Sequence, residues 1–209
     1  MVYKLLLIRQ AWSSNRKKVE VIMEKEEKTY LFRNLKESEI DCRQATFNDN
    51  GVSLLLYKDA RVDMDILDET VGSFNWQRDH KELKNNIYCG ISIWNSELKQ
   101  WITKWDCGKE SFSESEKGES SDSFKRAGFN WGIGRELYTA PFIYIPRQDK
   151  NGVDNYEIKE KKGKKYIASK FYVEKIKIIN KVIIGLSIKN DKNKRVFVYK
   201  KDENESEEK

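Results

Sequence analysis

Between Gly51 and Pro146 the apolar positions fall into short runs whose period changes along the chain. Residues 52–57 form a compact apolar run, a strand pattern. Asp59 then stands where a helix cap is needed, and Val62, Ile66 and Leu67 recur at helical spacing before Gly72. This predicts a helix reaching about Thr70. Three strand patterns follow, at 74–80, 87–94 and 99–106. In the second, Ile87, Cys89, Ile91 and Ile93 alternate with Tyr88, Gly90, Ser92 and Trp94; in the third, Trp101, Thr103 and Trp105 share a face. Asn85-Asn86 and Asn95-Ser96-Glu97 supply turns. Joints this short imply antiparallel neighbours. A long helix is expected over 113–131, opened by Ser113 and Glu116 at capping-box spacing and closed by Gly132-Ile133-Gly134. Pro141 and Pro146 bracket an extended piece.

Beyond Pro146 the character shifts. Residues 147–165 are polar and rich in lysine, the composition of a linker or an exposed loop. Alternation returns over 171–199, with Val182, Ile184, Leu186 and Ile188 on one face, a turn at Asn190-Asp191-Lys192-Asn193, and Val196 and Val198 after it. That predicts an added hairpin. Residues 202–209 read as an acidic disordered tail. The first 29 residues read as an N-terminal arm. A codon run containing GGAGG, a bacterial ribosome-binding sequence, can encode Val19-Glu20-Val21 just ahead of Met23. A native start at Met23, with an upstream extension before it, is therefore the second reading of that arm. The expected fold is α+β, an antiparallel β-meander packed on a long helix (a β-β-β-α core) with an added C-terminal β-hairpin. The expected division is arm 1–29, core 30–146, linker and hairpin 147–201, and tail 202–209.

Charge refines this picture. The total is +6, but residues 202–209 hold five acids and one lysine, a contribution of −4, which leaves +10 on residues 1–201. A basic body suits a polyanion. Aromatic residues at 12% and hydrophobic residues at 38% allow a packed core. Cys42, Cys89 and Cys107 stand apart and His80 is the lone histidine, so neither a zinc cluster nor a disulfide framework is expected, and a reducing cytoplasm is the natural setting. No apolar run reaches the ~20 residues of a membrane span. No phosphate-binding glycine loop of the Walker type is present, which argues against an ATP-driven recombinase. Asp63, Asp65 and Asp68 lie along one helix and read as surface rather than as a nuclease metal site.

The long helix carries the chemistry. At helical spacing Ser120, Phe124, Ala127 and Trp131 share the core-facing side, while Asp122, Lys125, Arg126 and Phe129 share the other. Two cations beside an aromatic ring suit a nucleic-acid strand, phosphates to the cations and a base to the ring. A solvated face with local Asp–Lys pairing is the plain alternative. Gly118 and Gly128 within the helix point to close packing, with a neighbouring subunit as one source. Lys104 and Lys109 are candidates to extend a basic rim, with ordinary exposed lysines as the plain alternative. His80 reads as surface, and Trp76, Trp94, Trp101, Trp105 and Trp131 as core or interface.

The run Asp122-Ser123-Phe124-Lys125-Arg126-Ala127-Gly128-Phe129-Asn130-Trp131-Gly132-Ile133-Gly134 resembles the helix motif of the Rad-fifty-two superfamily of single-strand annealing proteins, nearest to its phage Sak-type branch. Asp59-Ala60-Arg61-Val62 with Gly72-Ser73-Phe74-Asn75-Trp76, and Ile87-Tyr88-Cys89-Gly90-Ile91-Ser92, are similar to that family's first helix, following strand and central strand. The resemblance implies a ring or filament of identical chains and a basic groove for single-stranded DNA with Lys125 and Arg126 at its base. It also implies Arg61 as a further contact and annealing in recombination or repair with no cofactor and no catalytic site. A single-strand binding protein is a further candidate partner. The chain departs from the pattern at Phe129 and Asn86, where a base is usual, with Lys81 and Lys84 near the latter. The rival expectation is a non-catalytic interaction module using a basic face and the acidic tail.

Overall fold

The structure is a computed structural model that describes residues 31–108 and 115–201. The N-terminal arm, Ser113, Lys109 and the acidic tail lie outside the described residues. The fold is mixed α+β, with two α-helices and strand pairings that are antiparallel throughout the described residues.

Strands β1 (Asp41–Phe47) and β2 (Gly51–Tyr57) form a hairpin that leads into helix α1 (Ala60–Val71). The α1 cap is the expected one: the Asp59 carboxylate accepts from the Arg61 backbone N–H at 2.8 Å. Ile66 and Leu67 are fully buried, worth about 1.5–3 kcal/mol each. Strands β3 (Trp76–Leu83), β4 (Asn86–Asn95) and β5 (Gln100–Cys107) then make a separate three-stranded sheet in chain order. Lys84 and Asn85 both take positive φ, which gives the tight β3–β4 turn its twist.

Helix α2 (Ser115–Trp131) touches this sheet at several defined points. The Trp131 indole donates to the Ile91 carbonyl at 2.9 Å, and the Ile87 N–H donates to Glu119 at 2.7 Å. The fully buried Phe124 stacks on Trp76 at 6.2 Å. Cys89, Ile91 and Ile93 are buried, as their alternation predicts. The tryptophans divide. Trp76 and Trp131 join the core, whereas Trp94 and Trp101 meet edge to face at 5.5 Å and stay outside it. Trp105 lies flat on the strand because Gly90 has no side chain; a Cβ there would sit 2.6 Å from the indole.

The C-terminal half departs from expectation. The supposed linker holds a hairpin, β7 (Ile158–Lys161) and β8 (Lys164–Ile167). Residues 171–200 form three strands, β9 (Phe171–Ile179), β10 (Val182–Asn190) and β11 (Arg195–Lys200), where alternation predicts two. The hidden turn is Asn180-Lys181, both at positive φ, inside what reads as one continuous apolar run. A register shift between Ile183 and Gly185 breaks the alternation, so Ile183, Leu186 and Ile188 are the residues buried. Nor do these strands stand apart as an added hairpin. They share a six-stranded sheet, ordered β11-β10-β9-β1-β2-β6, with β6 spanning Ile143–Pro146. Its two end strands, β11 and β6, come into contact, so the sheet curls back on itself. The β9–β10 turn is fastened to the rest by buried Lys181, whose amine donates to the Arg33 carbonyl at 2.8 Å and pairs with Glu136 at 3.5 Å.

Replacing Gly90 by alanine should lower stability by about 1–3 kcal/mol in urea denaturation, because Trp105 must lift off the strand. An alanine variant with the parent midpoint would contradict this packing.

Candidate nucleic-acid interface

Lys125 and Arg126 are neighbours in sequence, but successive helix positions point about 100° apart. They accordingly part company. Lys125 lines a cleft of about 290 Å³ together with Asp122, Phe129, Tyr138 and residues Leu55, Leu56, Tyr57, Lys58 and Leu137. Phe129 and Tyr138 form one wall, edge to face at 4.7 Å. Among the described residues no ion pair holds Lys125. Arg126 instead turns toward β5 and pairs with Asp106 at 3.3 Å. Its charge still reaches Tyr138, opposing the upward push that burial gives the phenol.

The other expected cations have local partners. Lys104 donates to the Asn130 carbonyl at 3.0 Å and sits over the Trp131 ring at 4.3 Å. Arg135 donates to the Phe129 and Asn130 carbonyls at 2.8 Å and 3.1 Å. Both charges therefore meet the negative end of α2. Burial and the Arg135 charge hold the Lys104 amine below its ordinary value. Arg61 is exposed in the first turn of α1, 3.8 Å from Asp59, and is not among the residues that line the Lys125 cleft. Asn86 donates to the Lys84 carbonyl at 2.9 Å, and Lys81 stands over Trp105 at 4.4 Å. His80 is exposed and lies 3.2 Å from the Ser120 hydroxyl.

Behind the cleft is a feature absent from the sequence reading. Asp63 is not a surface residue. Its carboxylate is paired with the Lys58 amine, and both side chains are almost wholly inaccessible. Burial pushes the Asp63 carboxyl up and the Lys58 amine down, each against the pull of its partner. Lys58 also lies over the Phe129 ring at 4.5 Å. The pair explains two glycines. A Cβ at Gly128 would stand 2.5 Å from an Asp63 oxygen, and one at Gly134 would stand 2.5 Å from Lys58 Cε. The close neighbour of Gly128 is thus within this chain.

No protein-family model, curated protein or solved structure matches this chain. The reading of the cleft therefore rests on its own chemistry. It joins one cation free of ion pairs to three aromatic rings, Tyr57, Phe129 and Tyr138, on a floor fixed by a neutralised ion pair. Tyr57, Tyr138 and Lys58 escaped the sequence reading because they sit outside the helix motif. Only the Asp59 cap after the apolar run hinted that Lys58 is held at a strand–helix joint. No helix among the described residues is long and apolar enough to cross a membrane.

Removing one member of the buried pair strands the other, so Lys58→Met or Asp63→Leu alone should cost about 3–5 kcal/mol in chemical denaturation. The double replacement, close in volume to the pair, should cost less than either. Additive losses would contradict the coupling.

Proposed function

We propose that this chain binds single-stranded DNA and anneals complementary strands without an energy source. The observation that carries the reading is the cleft lined by Lys125 together with Phe129, Tyr138 and Tyr57. A cation beside aromatic faces is the pairing that grips a single strand, phosphate to the amine and base to the ring. The resemblance of residues 122–134 to the annealing-protein helix motif points the same way. In this reading α2 and the β3–β5 sheet are the β-β-β-α core, and identical chains assemble into a ring or filament. Such an assembly keeps a long strand extended, and each weak contact is multiplied along it. Base pairing, not the protein, supplies sequence information, and the core needs no cofactor. A single-strand binding protein is a proposed partner where the strand must be handed over.

Within the helix the work is divided. Lys125 meets the strand. Arg126, tied to Asp106, sets the rim of the groove and contributes charge from there. Lys104, tied to the end of α2, adds to the same field.

The purified protein is expected to anneal complementary oligonucleotides in the absence of ATP and to prefer single strands over duplex. Absence of both properties would end this reading. Lys125→Ala should weaken binding and reduce the slope of log affinity against log salt by about 0.7, the release expected for one phosphate contact on a single strand. Arg126→Ala should act less on the slope, since its charge is already balanced by Asp106. An unchanged slope in Lys125→Ala would remove Lys125 from the interface.

A further inference from the structure

The cleft does not end at Tyr138. Leu55 on its rim belongs to the outward row of β2, and the β2–β6 register carries that row across to the neighbouring strand. Ser53 pairs with Tyr144 and Leu54 with Ile143, the last pair of the register; Leu55 follows on one strand and Phe142 immediately precedes the other. Alternation sends Val52, Leu54, Ile143 and Ile145 into the core and leaves Leu55, Phe142 and Tyr144 on the other face. Phe142 is 80% exposed, Tyr138 65% and Leu55 60%. The Phe142 and Tyr144 rings are nearly parallel, 11° apart with centroids at 6.4 Å. Tyr144 can lie down across β2 because Gly51 presents no side chain beneath it.

None of these rings is needed by the core, and a phenylalanine this exposed has no folding role in the described contacts. Exposed aromatics in a continuous row usually mark a binding surface. What the row meets is set by its neighbour. It begins at a lysine cleft and carries tyrosine hydroxyls at intervals, so the charge favours a polyanion whose apolar parts are flat rings. We propose that Tyr138, Leu55, Phe142 and Tyr144 form a stacking platform for the unpaired bases of a single strand whose phosphates meet Lys125. This rests on the single-strand reading above and extends base stacking from the rings of the cleft to the row outside it. Stacking uses the face of a base and leaves its pairing edge free, so a second strand can still be tested while the first is held.

The test uses the full chain and two probes of equal length, an adenine homopolymer and a strand of abasic sugars, titrated over a range of salt. The parent protein should bind the base-bearing strand ~10-fold or more tightly than the abasic one, the advantage expected from stacking. Phe142→Ser, at an exposed position outside the cleft, should reduce that advantage and leave the salt slope as in the parent. Lys125→Ala should do the reverse, lowering the slope and keeping the advantage. A parent that binds both strands equally would overturn the platform and leave single-strand binding standing. So would a serine variant that keeps the advantage. A serine variant that keeps it while losing self-association in sedimentation would assign the row to protein contact instead. Binding to neither probe would overturn the platform together with the function it rests on.

Discussion

The amine of Lys58 and the carboxylate of Asp63 meet at the joint between β2 and α1, where both are almost wholly removed from solvent. Two opposite charges at such a place are held by each other, and most of what surrounds them follows. Asp63 presses against α2 so closely that residue 128 has no room for a side chain, and Lys58 does the same at residue 134. Helix α2 is therefore drawn onto α1, and the chain that leaves it passes close over the lysine stem. Phe129 receives the Lys58 ammonium on its ring face, which fixes one wall of the cleft. Burying a pair of charges is a weak source of stability, because desolvation offsets most of the attraction. What it supplies here is position.

That position separates the two cations of the helix. Lys125 shares its cleft with Lys58, whose charge is already answered by the buried Asp63. Its own charge is left to act outward. Arg126 is answered by Asp106 and Lys104 by the carbonyls that end α2. Around the cleft, Arg126 is thus engaged by a carboxylate and Lys104 and Arg135 by backbone carbonyls, whereas no ion pair holds Lys125 among the described residues. Affinity for a polyanion built this way depends on many weak contacts and on the aromatic rings between them.

Much of the architecture was legible in the chain. Asp59 as a cap, Gly72 as a stop, the inward side of Cys89, Ile91 and Ile93, and the core side of Phe124 and Ala127 each follow from local pattern, and each is realised, whereas Ile87 is only half-buried and Gly90 and Ser92 on the opposite face are buried as well. The failures have physical causes. Asn180-Lys181 turns the chain with no glycine or proline to mark it, so three strands read as two. Asp63 sits among Asp65 and Asp68 and carries no local sign that a lysine five residues earlier will bury it. The engagement of Arg126 by Asp106 needs the sheet in place before it exists. Of the cleft, Lys125 and Phe129 could be read from helical spacing. Tyr57 and Tyr138 could not, since they arrive from a strand and a short turn that only the folded chain brings beside the helix.

The claim that the Lys125 cleft is where a single strand lies is tested most directly by ultraviolet crosslinking of a thymine homopolymer to the protein, followed by mass spectrometry of the adducts. The account predicts adducts on Phe129, Tyr138 or Tyr57, competed away by unlabelled single strands. Adducts confined to β9, β10 and β11, with none on these rings, would contradict it.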